Sequence, residues 1–433
     1  MKIFIGPTEI AGIVAGLCTG FHRINVNAEA VLKGVHPFGY QMAFQKNWLL
    51  STWRRLGTLS QNTPRTRVVK KFIFAFLERL CSLPVLAFCL HRFDVFIFIF
   101  GQTITNTEFE MRLLKAFDKR VIFVYLGSDA RPPYINGAVF PAGRAVDPDK
   151  VRREVRKIKK RLAIQEHYAD ACINSPTTGH FHEKRFINWF AMGFPKNAPP
   201  LPCATEFPHT HQCIRILHSP SNPMAKGTPT IQRIIQRLIA KGHPIELVQI
   251  KGMSNSVVLE ELAYCEMVVD QLYSDTPMAG FATEAAHLGK PAVVGGYLAP
   301  VMNTCIRKHE IPPTCFVHPD EMEAAIEALV VDAHARRQLG QRAYSFVQTQ
   351  WSSEAVARRF LRLIEKDIPS EWWVDPRQLR YVQGVGCPDS HTRQLISGLV
   401  QRFGPCALEI SDKPELLDRF LMFAQEDEEA TQC

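Results

Sequence analysis

Eight short apolar runs recur along the chain without polar alternation, and they constrain the fold more than any other feature. In the first half they are KIFIG (2–6), DVFIFIF (94–100), RVIFVYL (120–126) and DACIN (170–174). The second half has CIRILH (213–218), IELVQI (245–250), EMVVDQL (266–272) and PAVVGG (291–296). A strand with one wet face alternates polar and apolar residues, whereas a strand covered on both faces reads as a continuous apolar run. These runs therefore predict parallel strands. Helical spacing fills the stretches between them. In TPTIQRIIQRLIAKG, for example, Ile231, Ile234, Ile235 and Leu238 share one helical face. Strand and helix alternating in both halves predict an α/β chain of two doubly wound, Rossmann-like domains.

A length of 433 residues exceeds what one core usually serves. The most proline-rich stretch, PKNAPPLPCATEFPH (195–209), is the expected linker. That divides the chain into an N-terminal domain over 1–208 and a second domain over 209–366, helical through 319–366. Residues 367–433 form a small C-terminal helical extension with a Trp-Trp pair, two helices (390–403 and 414–424) and an acidic EDEE tail.

Hydrophobic residues make up 46% of the chain and charged residues 21%, which excludes wholesale disorder. The net charge of +9 points to an anionic partner. Twelve cysteines without a C-x-x-C pair fit free thiols in a reducing cytoplasm, and no metal site is expected. The N-terminus reads as a first strand rather than a signal peptide. Glu78, Arg79, Pro84, His91, Arg92 and Asp94 interrupt the apolar stretch 72–100, so no unbroken membrane span is expected.

Parallel α/β sheets bind ligands beyond the carboxyl ends of their strands, where loops feed helix N-termini. After CIRILH comes SPSNPMAKGTPTIQRII, which puts Lys226 and Gly227 at the mouth of a helix. An ammonium, backbone N–H groups and the helix dipole converging there would suit a diphosphate, although an exposed turn explains the same residues. After EMVVDQL comes the segment AGFATEAAHLGKPAVVGG (279–296), in which Gly280 opens a helix bearing one acid, Glu284. A carboxylate in a first helical turn complements the dipole. It also matches two adjacent ribose hydroxyls, since both its oxygens accept hydrogen bonds.

The runs HSPSNPMAKGT and DQLYSDTPMAGFATEAAHLGKPAVVG resemble the donor half of the GT-B glycosyltransferases of the glycogen-synthase-like, retaining type. The resemblance covers about 210–366 well and the first half more loosely. It implies two Rossmann-like domains facing across a cleft. It also implies that Lys226 contacts the donor diphosphate and that Glu284, as the last Glu of an E-x7-E motif, binds the ribose. The first Glu of that motif falls at Thr276, so its sugar contact is either absent or made by Asp275, and the family's frequent Arg falls at Ser221. Gly227, Gly280, Thr276 and Ser221 complete the expected donor side. On the acceptor side, YLGSDARPPY (125–134) resembles the family's H-G-S-D-x-R loop with Leu126 in the place of His. It supplies Gly127, Ser128, Asp129 and Arg131, with Asp129 either orienting an acceptor hydroxyl or capping its turn. GPTEIAGIVAG resembles the first glycine-rich loop, with Gly12 allowing close backbone approach.

The resemblance thus implies transfer of a sugar from a nucleotide-diphospho-sugar, a substrate rather than a cofactor, to a carbohydrate or lipid-linked acceptor in polysaccharide or glycoconjugate biosynthesis. Asp129 and Asp275 are its candidate catalytic carboxylates. No D-x-D motif stands at a strand end, which agrees with a metal-independent enzyme, and the resemblance to retaining families implies retention. A GT-B nucleotide-sugar 2-epimerase and a non-catalytic sugar-nucleotide or glycan-binding protein are the alternatives, and no nucleic-acid module is recognisable. DKVRREVRKIKKRLA (149–163) carries Val151, Val155, Ile158 and Leu162 on one face and a dense basic face opposite. That face is expected to be solvated, to touch an anionic membrane from the cytoplasmic side, or to bind a polyanionic acceptor.

Overall fold

The computed structural model describes residues 1–34, 47–64, 66–199 and 213–430, with side chains as far as 426. Residues 200–209 of the expected linker therefore lie outside the described residues, as do the side chains of the EDEE tail beyond Glu426. The first half runs β1 (Lys2–Gly6), α1 (Ile13–Arg23), β2 (Asn27–Ala30), α2 (Trp48–Asn62), α3 (Val68–Arg92), β3 (Val95–Ile99), α4 (Glu108–Ala116) and β4 (Arg120–Val124). It continues through α5 (Pro148–Tyr168), β5 (Ala171–Asn174), β6 (Phe186–Asn188) and α6 (Trp189–Met192). The second half begins β7 (Ile214–His218), α7 (Thr228–Ala240), β8 (Ile245–Gln249), α8 (Asn255–Tyr264), β9 (Met267–Val269), α9 (Gly280–His287) and β10 (Ala292–Gly295). There follow α10 (Met302–Cys305), β11 (Cys315–Val317), α11 (Met322–Val331), α12 (Ala333–Thr349), α13 (Ser353–Glu365), β12 (Trp373–Val374), α14 (Asp389–Phe403) and α15 (Pro414–Ala430).

All eight expected strands form, and every pairing among them is parallel. The alternation of Phe and Ile in β3 explains how both sheet faces are filled. Phe96 and Phe98 join Phe4 and Phe123 on one face, against Trp53 of α2 and Val85, Leu86 and Cys89 of α3. Ile97 and Ile99 join Ile3, Ile5 and Val124 on the other, against Ile13, Val14, Leu17 and Phe21 of α1. Four strands escape the sequence reading. β2, β6, β11 and β12 have only two to four residues each, too few to show a period.

The first sheet has the order β12-β6-β5-β4-β3-β1-β2 and the second β11-β10-β9-β7-β8. Strand order reverses between β1 and β3 in one sheet and between β7 and β9 in the other. A crevice opens beyond the carboxyl ends of strands at each such switch point. The chain then returns to its first half. α13 packs along α1, β12 pairs antiparallel with β6, and α14 packs on α5 while holding α15.

That return alters the reading of the basic helix. The apolar stripe of α5 is buried as expected and Lys150, Arg153, Arg156, Lys157 and Lys160 stay exposed, but three other basic side chains of the helix are used inside the protein. The Arg152 guanidinium lies 4.4 Å over the Phe403 ring of α14, and Arg161 donates to the Asp129 carbonyl. Lys159 donates to the Phe181 carbonyl at 3.1 Å and pairs with Glu183 at 2.7 Å. The sequence could not show that α14 would cover one edge of this face.

Candidate functional site

Gly227 caps the N-terminus of α7 in the left-handed region (φ +74°), where a Cβ would stand 2.6 Å from that of Leu272. Only glycine makes this turn without strain. Beside it, the Lys226 ammonium donates to Asp270 Oδ1 at 2.8 Å. Asp270 is buried just past the end of β9, and its Oδ2 has no hydrogen-bond partner among the described residues. His218, at the end of β7, bonds the Val269 carbonyl through Nδ1 and Thr228 Oγ1 through Nε2, both at 2.8 Å. Burial lowers the His218 pKa, so the neutral ring donates to the carbonyl and accepts from Thr228. It thereby ties β7 and β9 to the first residue of α7.

Glu284 is the fifth residue of α9, whose first turn holds no acid, so a dipole role does not account for it. The side chain is almost fully buried. Its Oε1 accepts from the Lys196 ammonium, which crosses from the first half, and from Asn255 Nδ2 at 2.7 Å. Lys196 is buried as well and also donates to the Ala11 carbonyl at 3.0 Å. The sequence reading placed Lys196 in the linker and missed it. Its one distinguishing mark was being the first charge after the apolar run WFAMGFP.

The first half contributes a second unforeseen charged residue. Glu9 Oε1 accepts from the backbone N–H groups of Gly12 at 3.0 Å and Val14 at 3.4 Å, and Oε2 accepts from Ala15 at 3.1 Å. This carboxylate covers the open N-terminus of α1, whose first residue follows Gly12 at φ +86°. Burial pushes the Glu9 carboxyl up to about 7, against the pull of the three amides and of Lys196.

Between the halves lies a cavity of about 270 Å³. Ser221, Lys226, Asn255, Gly280 and Glu284 line it from the second half and Ala11 from the first. Four of the six expected donor-side residues thus meet in one cavity, while Gly227 supports Lys226 from behind and Thr276 lies elsewhere. An ammonium, a carboxylate, an amide and a hydroxyl converge on this space, beyond the switch point of the second sheet.

The remaining candidates form another cluster. Arg131, in the loop after β4, donates to Asp275 Oδ2, 144 residues away, and Thr177 Oγ1 reaches the same oxygen at 3.3 Å. Asp275 and Arg131 are both buried, so the pair locks the halves together. Asp129 points into its own loop, where Oδ1 accepts the Leu126 N–H at 3.0 Å and Arg131 N–H returns to the Gly127 carbonyl at 2.8 Å. Burial raises the Asp129 carboxyl to about 6, and its Oδ2 has no partner among the described residues. Ser128 is half-buried in the same turn. Thr276, next to Asp275, keeps its hydroxyl buried and unbonded among the described residues. Neither Asp129 nor Asp275 lines the cavity.

No family model and no curated protein matches the sequence. Solved structures do match. The catalytic domain of starch synthase IV from Arabidopsis thaliana, bound to ADP and acarbose, superposes over 84% of this chain and 98% of its own with a TM-score of 0.52 at 12% identity. An S. aureus MnaA–UDP co-structure covers 85% of this chain and 97% of its own at 14% identity and a TM-score of 0.45. A putative UDP-N-acetylglucosamine 2-epimerase from Listeria monocytogenes covers 84% and 96% at 12% identity and a TM-score of 0.43. Two Rossmann-like sheets, a cleft between their switch points and the superposition on the starch synthase domain lead to one conclusion, that this chain has the GT-B fold.

Proposed function

We propose that the chain binds a nucleotide-diphospho-sugar in the 270 Å³ cavity and transfers the sugar to a carbohydrate or lipid-linked acceptor. The observation that carries this reading is the meeting of Lys226, Ser221, Gly280 and Glu284 around one space at the mouth of α7. Lys226 exchanges Asp270 for the donor diphosphate, and the amides at the α7 N-terminus share the charge. Glu284 accepts from the ribose hydroxyls through Oε2, while Lys196 and Asn255 hold Oε1 in place. As the sugar–phosphate bond breaks, Lys226 stabilises the leaving diphosphate, which makes the reaction metal-independent. Retention at the anomeric carbon belongs to the same proposal. The Arg131–Asp275 pair sits on the acceptor side and would open to admit the sugar. The protein would act in the cytoplasm.

A second reading, nucleotide-sugar binding without transfer, is favoured by Thr276 at the first-Glu position and by the closed Arg131–Asp275 pair. A thermal-shift screen against nucleoside diphosphates and their sugars, followed by an assay for released nucleotide with candidate acceptors, separates the outcomes. A ligand at a hundred times its Kd should stabilise the fold by about 2.7 kcal/mol. Stabilisation with nucleotide release supports transfer, and stabilisation without release across the panel supports the second reading. No stabilisation by any nucleotide overturns both.

A further inference from the structure

Helix α3 turns its apolar side outward. Val69, Phe72, Ile73, Phe76, Leu80 and Leu83 are all exposed, with Val69 72% and Phe72 69% accessible. At 3.6 residues per turn these six fall within about 100° of arc, along about 21 Å of helix. The opposite side is equally well defined. Glu78, Ser82, Val85, Leu86 and Cys89 are buried, the last three in the core with Trp53 and Phe96. Glu78 accepts from Trp53 Nε1 at 3.1 Å and pairs with Lys33 at 3.0 Å.

A soluble helix presents the reverse arrangement, and an exposed apolar stripe of this size marks a contact surface. Among the described residues α3 is also the one helix long and apolar enough to cross a membrane. Its inner side is built into the core beside the first sheet, so α3 lies along a surface rather than through it.

Charge identifies the partner. The segment 47–92, which holds α2 and α3, has eight Lys or Arg against one acid, and that acid is the buried Glu78. This is a formal +7 in a chain whose total is +9. Lys70 and Arg79 are exposed on α3 to either side of the apolar stripe, and Arg55 is exposed on α2. Two copies meeting through this face would bring two such charges together. An anionic lipid surface instead accepts both the apolar side chains and the flanking cations. Trp48, 78% exposed at the start of α2, suits the headgroup region.

We propose that the α2–α3 hairpin docks the protein on an anionic lipid bilayer, with the α3 stripe inserted at the headgroup boundary. This moves the expected membrane contact from α5 to α3, and it does not depend on the glycosyl-transfer reading.

The test is flotation of the full chain with phosphatidylcholine vesicles, with and without phosphatidylglycerol, at low and high salt. Wild-type protein should bind the phosphatidylglycerol vesicles and weaken as salt is raised. Phe72→Ser with Phe76→Ser should lower the partition coefficient at least about tenfold at an unchanged melting temperature. Lys70→Gln with Arg79→Gln should lower it by about fivefold per charge. Absence of wild-type binding at low salt overturns the proposal, as does wild-type-like binding by both variants. Loss of binding on neutralising Arg152, Arg156, Lys159 and Lys160 instead would return the contact to α5 and overturn it. A dimer dispersed by the Phe72/Phe76 changes, in protein that does not float, would assign the face to a second copy and overturn it too.

Discussion

Lys196→Met removes the ammonium that reaches Glu284 from the other half of the molecule. Both side chains of the pair are under 10% exposed, so solvent screens the interaction little. The variant leaves a buried carboxylate supported, among the described residues, by Asn255 alone, and breaking such a pair from one side costs about 3–5 kcal/mol. Unfolding entropy of about 2.1 cal/mol/K per residue gives roughly 0.9 kcal/mol/K for this chain. The melting temperature should therefore fall by about 3–5 °C if the two halves unfold together. The assay is urea and thermal unfolding of wild type, Lys196→Met, Glu284→Gln and the double variant. A neutral amide does not need the ammonium, so the double variant should recover at least about 1 kcal/mol relative to additivity. Additive losses, or a Lys196→Met protein as stable as wild type, would refute the idea that this pair joins the halves.

Other outcomes follow from the same geometry. Glu284→Gln should weaken nucleoside-diphosphate binding by about 1–3 kcal/mol, and calorimetry should show a smaller loss for the 2′-deoxy analogue. Equal affinities for wild type and variant would remove the ribose assignment. Lys226→Ala should reduce diphosphate binding much more than nucleoside binding, and it should also destabilise the fold because Asp270 is left buried without its ammonium. Asp270→Asn in that background should recover stability without recovering diphosphate affinity. Glu9 has a folded pKa of about 7 against an ordinary value of 4.5, so the native state holds the extra proton between those values. Its contribution to stability is thus greatest below pH 4.5 and declines as pH rises through 7, by roughly 3 kcal/mol. Unfolding free energies measured from pH 4 to 8 should show Glu9→Gln gaining on wild type as pH rises. A flat difference would refute the assignment.

Much of the fold was legible because burial on both faces writes itself locally into a strand. VFIFI needs no neighbour to be recognised, and the strand–helix alternation then gives two doubly wound sheets. The positions of Lys226 and Glu284 could be read too, since each stands in a loop or helix directly after such a strand. Glu284's partners could not be read. Lys196 lies 88 residues from Glu284 and Arg131 lies 144 from Asp275, and no local pattern encodes a pairing that depends on how two sheets face each other. Glu9 shows the same limit at short range, because a Glu three residues before a Gly acquires meaning only when the chain turns its carboxylate onto the amides of α1. The sequence of α3 displayed its apolar residues, its basic residues and the interruptions at Glu78, Arg79 and Pro84. Only packing against the first sheet decided that Glu78 would go in and Phe72 and Phe76 would stay out. Helical period fixes which residues share a face, and the tertiary structure decides which face meets the core.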